Sequence, residues 1–163
     1  MYKIAKFMRV STEQFEKDWD LPGLNPYNEI QLPKRGTAGS AGYDFYSPLD
    51  FQLEPGEFIK IPTGIRAQIE EGWVLMLVPR SGQGFKYRLQ LYNTIGVIDA
   101  DYFNAENEGH IQIKIINANK EGKILTVHKG EAFAQGIFLP FGVTVDDAAA
   151  GVRKGGFGST DGR

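Results

Sequence analysis

The stretch Ile65-Arg66-Ala67-Gln68-Ile69 alternates apolar and polar side chains, the pattern of a β-strand that packs one face on a core. The stretch Ile111-Gln112-Ile113-Lys114-Ile115 repeats this alternation. Between them, Trp73–Val78 is a continuous apolar run, which we interpret as a strand buried on both faces. These three stretches predict β-structure at the centre of the chain.

Turn signals flank the predicted strands on both sides. They include Glu54-Pro55-Gly56-Glu57, Pro62-Thr63-Gly64 and Lys129-Gly130-Glu131, in which glycine and proline supply turn geometry. Short strands separated by turns every 8–12 residues or so are typical of a sandwich or barrel. We therefore predict an all-β fold from Gly42 onward, with Phe133–Val143 as the last long strand.

The N-terminal segment predicts a strand followed by a helix. Tyr2–Val10 is interpreted as a short opening strand, and Leu21–Asn28 as a loop. Ser11–Trp19 is interpreted as a short helix, because Ser11 and Gln14 have the spacing of a capping box. No other helix is predicted.

Composition limits the class of protein. A chain of 163 residues, 42 % hydrophobic and 23 % charged, is typical of one globular domain. A net charge of −2 argues against direct nucleic-acid binding, which favours a basic surface. The chain has no cysteine and two histidines, His110 and His128, too few for the usual zinc sites. No apolar run has the length of a signal peptide or membrane span, so a cytoplasmic protein is expected.

Four glycine-rich polar stretches exceed what a plain β-fold needs: Ala38–Asp44, Pro79–Gly82, Asn93–Tyr102 and Gly155–Thr160. An arginine, hydroxyls and glycine amides are the donors that a polyphosphate requires. An aromatic ring between glycines can stack on a base, and an aspartate at a strand end can take a proton from water. Taken alone, each stretch is more often an ordinary turn or a loose tail. Asp99 could merely close a hairpin, and Asp44 could form an Asx-turn. The two commonest nucleotide-binding motifs, the P-loop and G-x-G-x-x-G, are missing.

Taken in order, these stretches resemble the five motifs of trimeric dUTPases. The matching segments are Leu32-Pro33 with Ala41–Asp44, Pro79–Gly82, Gly96–Tyr102, Gly130–Gln135 and Gly155–Thr160. The resemblance covers about Leu32 to Thr160 and preserves the order and approximate spacing of the family's motifs.

The resemblance implies a jelly-roll-type β-barrel in homotrimers, with active sites at subunit interfaces. Residues 1–150 would form the barrel with its N-terminal insert, and residues 151–163 a mobile glycine-rich tail that closes the active site. The implied reaction is hydrolysis of dUTP to dUMP and diphosphate by attack of water on the α-phosphorus. This reaction keeps uracil out of DNA and supplies dUMP for dTMP synthesis.

The resemblance also assigns roles to residues. Asp99 matches the base that activates water. Asn93 and the backbone at Gly96 and Ile98 match the hairpin that recognises uracil, and Tyr102 matches the residue packed under the deoxyribose.

The remaining assignments concern the triphosphate. Phosphate contacts are implied for Arg80, Ser81, Gly82, Gln135, Arg153, Gly158, Ser159 and Thr160. Phe157 matches the ring that closes over uracil. Asp44 would support a Mg²⁺ ion that the substrate triphosphate, rather than protein ligands, holds.

The chain departs from the family pattern in several places. A longer acidic loop, Phe103–His110, follows Tyr102, and the segment Ser11–Asn28 is longer than the family's usual start. We interpret the latter as an extra surface-packed helix without an assigned function. Motif four has Ala132 where arginine is usual, Arg153 lies one residue closer to the glycines, and Asp161 replaces a glycine.

The sequence leaves two alternative functions to compare with this one. A dCTP deaminase shares the implied fold but needs a glutamate proton shuttle where this chain has Lys114, and a lysine cannot act as the carboxylate base. A nucleotide-sensing regulatory protein is the other alternative, with the acidic loop Asn104–Glu108 as the surface for a protein partner.

Overall fold

The computed structural model describes residues 2–151 together with Arg153 and Gly155. This part of the chain forms twelve β-strands and two short α-helices. The strands are β1 (Ala5–Arg9), β2 (Lys34–Arg35), β3 (Tyr43–Tyr46), β4 (Phe51–Leu53), β5 (Phe58–Pro62), β6 (Ile65–Ile69), β7 (Trp73–Val78), β8 (Leu89–Leu91), β9 (Gly96–Ile98), β10 (Gln112–Asn117), β11 (Leu125–Val127) and β12 (Ala132–Pro140). The helices are α1 (Thr12–Asp18) and α2 (Ser81–Tyr87), and 3₁₀ turns cover Tyr27–Glu29 and Ala100–Asn104.

The strands pair in four sheets. The largest has the order β2-β3-β12-β7-β9, the second has the order β5-β10-β8, and two-stranded pairs join β1 to β6 and β11 to β4. All the pairings between these strands are antiparallel. The prediction of an all-β fold is therefore confirmed, and the opening strand and the first helix lie where the sequence predicts them.

The core follows the predicted alternation of side chains. Strand β6 buries Ile65, Ala67 and Ile69, and β10 buries Ile113 and Ile115. Burying a side chain of this size stabilises the fold by about 1.5–3 kcal/mol. The largest fully buried side chains are Phe15, Phe45, Phe133, Ile61, Ile65, Leu75, Leu77, Leu89, Ile111, Ile113, Ile115 and Leu125.

Two strand predictions differ from the structure. In β7 only Leu75 and Leu77 are buried, whereas the other four residues are half-buried, so burial on both faces is wrong for the single chain. The reason is that one face of the five-stranded sheet covers the core and the other is only partly covered. The last strand ends at Pro140 rather than Val143, because Pro140 pairs with Trp73, the first residue of its partner β7, and a turn at Glu70–Trp73 precedes that strand.

Helix α1 begins as predicted, but only half of the expected capping box forms. The Ser11 hydroxyl accepts a hydrogen bond from the Gln14 N–H at 3.1 Å. The Gln14 side chain does not reach back; it donates to Asp18 at 2.7 Å. The Ser11 N–H instead donates to the Glu108 carboxylate at 2.7 Å.

Helix α2 was not predicted. Its sequence contains Gly82 and Gly84, each of which costs about 1 kcal/mol in a helix interior relative to alanine, so the local pattern gave no helical signal. A tertiary contact stabilises it, because the Gln83 amide donates to the Ala132 carbonyl at 3.2 Å. The Arg80–Gly82 segment therefore lies at the start of a helix rather than in a turn.

Within the described residues, no helix is long and apolar enough to cross a membrane.

Candidate active site

One cavity, of about 310 Å³, gathers five of the predicted site residues. Asn93, Gly96, Ile98, Tyr102 and Arg153 all line it. We call it the Asn93 cavity. Its size is in the range of small-molecule pockets.

The turn between β8 and β9 forms one wall of the Asn93 cavity. The Thr94 N–H donates to the Leu91 carbonyl at 2.9 Å, and the Ile95 N–H donates to the Asn93 carbonyl at 2.8 Å. Thr94 has a φ of 72°, a left-handed conformation that costs a β-branched residue about 1–3 kcal/mol. Such strain is concentrated at ligand sites, and Thr94 directly follows Asn93, which lines the cavity.

Gly96 lets the hairpin lie directly on β7. A Cβ atom at this position would stand 2.9 Å from the Leu77 Cβ, closer than side chains pack. Gly96 pairs with Leu77, and Ile98 pairs with Leu75. The glycine therefore fixes the distance between the hairpin backbone and the sheet.

Tyr102 is the buried aromatic residue of the Asn93 cavity, with 4 % of its surface exposed. Its hydroxyl donates to the His110 carbonyl at 2.8 Å and accepts from the Asn107 amide at 2.8 Å. Burial raises the pKa of Tyr102, so the hydroxyl stays protonated at neutral pH and acts as a donor. The ring orientation is thus set by the loop that follows it.

Asp99 and Asp101 share one arginine. Arg153 Nη2 lies 2.5 Å from an Asp99 carboxylate oxygen, and Arg153 Nε lies 2.9 Å from an Asp101 oxygen. The Asp99 side chain keeps 44 % of its surface exposed, so water can reach it. The structure therefore places Arg153 on two carboxylates beside the cavity.

Asp99 does not close a hairpin, the alternative considered from sequence. It precedes the 3₁₀ turn Ala100–Asn104, and its carbonyl accepts from the Tyr102 N–H at 3.2 Å. This turn places the Asp99 carboxylate and the Tyr102 ring on the same side of the chain.

A second group of predicted residues, which we call the Arg80 cluster, consists of Asp44, Arg80 and Gln135. Arg80 Nε lies 2.9 Å from an Asp44 oxygen. Gln135 pairs with Asp44 across β12 and β3 and donates to the Pro79 carbonyl at 3.0 Å. Asp44 therefore lies in a strand, and not in the Asx-turn that the sequence also allowed.

Strand β7 connects the two groups of residues. Leu77 pairs with Gly96 on one side and with Gly136, which follows Gln135, on the other. Ser81 and Gly82 occupy the first turn of α2 directly after β7. The predicted residues Phe157, Gly158, Ser159 and Thr160 lie outside the described residues.

Sequence reasoning missed seven residues that line the Asn93 cavity: Leu77, Leu91, Ile95, Val97, Gln112, Ile113 and Lys114. The signal for Gln112 and Lys114 was present, because the alternation in Ile111–Ile115 places both on one strand face. What the sequence did not show is that this face lines the cavity.

Another depression of similar size does not contain the residues that the sequence assigns to a site. It has a volume of about 290 Å³ and lies near Glu29, Ser47 and Lys129. Among residues 2–151, 153 and 155, no group of three or more His, Cys, Asp or Glu side chains could hold a metal ion.

Because His110 is fully buried behind Tyr102, we predict that the free energy of unfolding depends on pH. Burial lowers the pKa of His110 below its ordinary value of about 6.5, against the opposing effect of the nearby Asp18 and Glu108 carboxylates. As pH falls below 6.5, the unfolded chain takes up the proton first. The stabilisation is therefore complete above about pH 6.5 and is lost toward the lower, folded-state pKa, by at most about 1.4 kcal/mol per pH unit.

Thermal unfolding between pH 7.5 and pH 5 tests this prediction. We expect His110→Gln to be less stable at pH 7.5 and to lose less stability on acidification than the unsubstituted chain. His128→Gln is the matched control, because the His128 side chain is 67 % exposed, and it should keep the original pH dependence. Equal acid sensitivity in all three proteins would contradict the prediction.

Together, the antiparallel β-fold, the cavity lined by Asn93 and Tyr102 and the accessible Asp99 carboxylate beside it bring several of the predicted site residues into one region. Comparison with known proteins gives the family. The sequence profile described as dUTPase matches residues 28–161.

Named relatives agree with the profile. The chain is 42 % identical to the deoxyuridine 5′-triphosphate nucleotidohydrolase of Lactococcus lactis over 80 % of this chain and 88 % of that protein. It is 36 % identical to the enzyme of the same name from Escherichia coli over 87 % and 96 %. The crystal structure of dUTPase from Streptococcus mutans superimposes with a TM-score of 0.63 at 33 % identity, covering 86 % of this chain and 98 % of that one. The chain belongs to the dUTPase family.

Proposed function

We propose that this chain hydrolyses dUTP to dUMP and diphosphate in homotrimers, with Asp99 as the base that activates water for attack on the α-phosphorus. The name shared by its relatives, deoxyuridine 5′-triphosphate nucleotidohydrolase, supports the reaction. The observation that carries the proposal is the Asn93 cavity, which joins Asn93, Gly96, Ile98 and Tyr102 beside the accessible Asp99 carboxylate.

Asp99 can serve as the base because it is open to water and is aligned by a neighbouring cation. Arg153 holds the carboxylate from one side, which leaves the exposed side for a water molecule. A carboxylate in this position can accept the proton that water loses on attack. When a triphosphate binds, its oxygens compete with Asp99 and Asp101 for Arg153, which then becomes a phosphate contact.

Base selection depends on the hairpin between β8 and β9. The Asn93 side chain and the backbone at Gly96 and Ile98 present donors and acceptors to the edge of uracil. Cytosine reverses part of this edge and would leave buried polar groups unpaired, which allows strong discrimination.

The triphosphate is assigned to the Arg80 cluster with Ser81 and Gly82, and to the tail. Arg80 and the start of α2 offer donors for phosphate oxygens. Asp44, which lies 2.9 Å from Arg80, would support a Mg²⁺ ion that the triphosphate holds. When bound, Mg²⁺ would stabilise charge on the departing diphosphate. Phe157 would close over uracil, and Gly158, Ser159 and Thr160 would contact the terminal phosphates.

Exposed apolar side chains support the homotrimer. Ile95 and Val97 lie in the hairpin of the Asn93 cavity, and Phe141, Val143 and Val145 follow β12. Exposed apolar side chains of this size gain free energy when they are buried at a protein interface. We assign the interface to other copies of this chain, with residues 151–163 of one subunit closing the site of another, and we place the trimer in the cytoplasm.

Diphosphate release measured with dUTP, UTP and each of the four DNA precursors tests the reaction. We expect release from dUTP only, at a rate that depends on Mg²⁺. Ammonia release from dCTP would instead establish the deaminase, despite Lys114 at the position of its glutamate. Nucleotide binding without either product would favour a sensing protein.

Tyr102→Ala tests sugar selection. Tyr102 fills the cavity under the proposed deoxyribose position, so the smaller side chain should admit a 2′-hydroxyl. We expect the ratio of kcat/KM for UTP to that for dUTP to rise about 10- to 100-fold. Tyr102→Phe keeps the ring but loses the hydroxyl bonds to His110 and Asn107, so it should raise the ratio less, about threefold to tenfold. An unchanged ratio in Tyr102→Ala would contradict the steric role.

A further inference from the structure

The two segments that depart from the family pattern, the helix α1 and the loop Phe103–His110, bind each other at both ends of the helix. At its N-terminus, the Ser11 N–H and hydroxyl donate to the two oxygens of Glu108 at 2.7 and 2.5 Å. At its C-terminus, Asp18 contacts His110 Nδ1 at 2.6 Å. The helix is therefore fitted to this loop rather than packed loosely on the surface.

His110 transmits the position of α1 into the core. Its side chain is fully buried, and the Gly64 N–H donates to its Nε2 at 2.8 Å. An Nε2 that accepts a hydrogen bond carries no proton, so the neutral ring has its proton on Nδ1 and donates to Asp18. Two partners on opposite sides of the ring thus fix the imidazole.

The carbonyl of the same residue holds the Tyr102 hydroxyl at 2.8 Å. A second bond, from the Asn107 amide to that hydroxyl at 2.8 Å, ties Tyr102 to the same loop. Because Tyr102 lines the Asn93 cavity, the conformation of the loop sets the position of a cavity wall.

The loop adopts a conformation that needs external support. Glu108 and Gly109 have φ values of 59° and 70°, and the left-handed conformation at Glu108 is unfavourable for a side-chain residue. A Cβ atom on Gly109 would lie 2.6 Å from the Tyr102 carbonyl oxygen. The Arg66 guanidinium covers the Phe103 ring at 3.7 Å and donates to the Phe103 carbonyl at 2.6 Å, which fixes the other end of the loop.

We propose that Asp18 and His110 are positioning residues for Tyr102, and that α1 therefore contributes to sugar selection without touching the substrate. Asp18 fixes the imidazole of His110, and the His110 carbonyl fixes the ring of Tyr102. This inference rests on the role proposed above for Tyr102.

Discrimination between dUTP and UTP, measured as the ratio of the two kcat/KM values, is the first test. Asp18→Ala should lower this ratio about threefold to tenfold, the change expected for one lost hydrogen bond. Asp18→Asn keeps an acceptor for the Nδ1 proton and should restore the ratio to within about twofold. The matched control is Asp20→Ala, which removes a carboxylate of the same segment paired at 2.9 Å with the exposed Lys60, and it should leave the ratio unchanged.

A double-mutant cycle with Tyr102→Phe tests whether Asp18 acts on the ratio through the bond between the Tyr102 hydroxyl and the His110 carbonyl. Removing the Tyr102 hydroxyl breaks its bond to the His110 carbonyl, so Asp18→Ala should have little further effect in that background. Equal effects of Asp18→Ala in both backgrounds would overturn the proposed route. If Asp18→Ala does not fold, Ser11→Ala, which removes the hydroxyl bond to Glu108, takes its place with the same expected direction.

Fluorine NMR of protein labelled with fluorotyrosine tests whether Asp18 positions Tyr102, independently of whether Tyr102 selects the sugar. Tyr102→Phe identifies the Tyr102 resonance, and Asp18→Ala should shift or broaden it whereas Asp20→Ala should not. An unchanged resonance would overturn the inference whatever the kinetics show. The opposite combination is also informative: Asp18→Ala shifts the Tyr102 resonance, but Tyr102→Ala leaves the ratio of kcat/KM for dUTP to that for UTP unchanged. This result would overturn the role of Tyr102 in sugar selection, and with it the role of α1.

Discussion

Replacing Asp99 with asparagine is expected to lower kcat for dUTP by about 10²- to 10⁴-fold, the contribution typical of a general base. The amide keeps the size of the side chain and an oxygen that can face Arg153, but it cannot take a proton from water. Arg153 also keeps its 2.9 Å contact with Asp101, so the surroundings of the site should persist. Single-turnover kinetics and nucleotide affinity, measured on the same protein, separate loss of chemistry from loss of binding.

The neighbouring Asp101 offers a matched control. Asp101→Asn removes a carboxylate that binds the same arginine but is more exposed, at 57 % of its side chain. We expect kcat to fall less than tenfold in this variant. If Asp99→Asn were to lose no more activity than Asp101→Asn, Asp99 would not be the base, and its importance would lie in holding Arg153.

Truncation after Arg153 is expected to leave a folded, trimeric and nearly inactive protein. The deleted segment contains one large apolar side chain, Phe157, so its loss should cost little core stability. Its glycines, Ser159 and Thr160 are the proposed contacts for nucleotide. Thermal unfolding and size-exclusion chromatography check the fold and the trimer, and diphosphate release from dUTP checks the activity.

Co-expression of the truncated chain with the Asp99→Asn chain tests whether a tail serves a neighbouring subunit. Neither parent should be active, yet in every mixed trimer one of the three sites, about a quarter of all sites under random 1:1 mixing, combines an intact Asp99 with an intact tail from another chain. Activity should therefore return. A tail that closed the site of its own subunit would restore no site, so mixed trimers as inactive as both parents would refute the exchange of tails.

The β-fold could be predicted from sequence because its signals are local. The period of two in Ile65–Ile69 and Ile111–Ile115 and the intervening turn residues reflect geometry that each strand imposes on its own side chains. Helix α2 could not be predicted, since Gly82 and Gly84 oppose it locally and a bond from Gln83 to the Ala132 carbonyl supports it. The second half of the capping box failed for a similar reason, because Glu108 binds the Ser11 N–H in place of Gln14.

The candidate site likewise contains residues that the sequence identified and contacts that only the structure shows. The order of its motifs identified Asp99, Asn93, Tyr102 and Arg80 from sequence, and the structure gathers Asn93 and Tyr102 at one cavity with Asp99 beside it. The sequence did not show that Arg153 binds Asp99 and Asp101, or that Gln112 and Lys114 line that cavity. These are contacts between residues far apart in the chain, which no local pattern encodes.

The sequence by itself determined the β-class of this protein and the start of α1, because periodicity and capping are properties of neighbouring residues. It also determined the membership of a nucleotide-hydrolysing family, because the order of motifs can be followed along the chain without knowing how the chain folds. Only the tertiary structure decided what the two unusual segments do. Separated by about ninety residues, Asp18 and His110 form a pair because folding brings α1 against the loop after Tyr102. Burial of that imidazole then makes its hydrogen-bond partners, rather than solvent, determine its orientation.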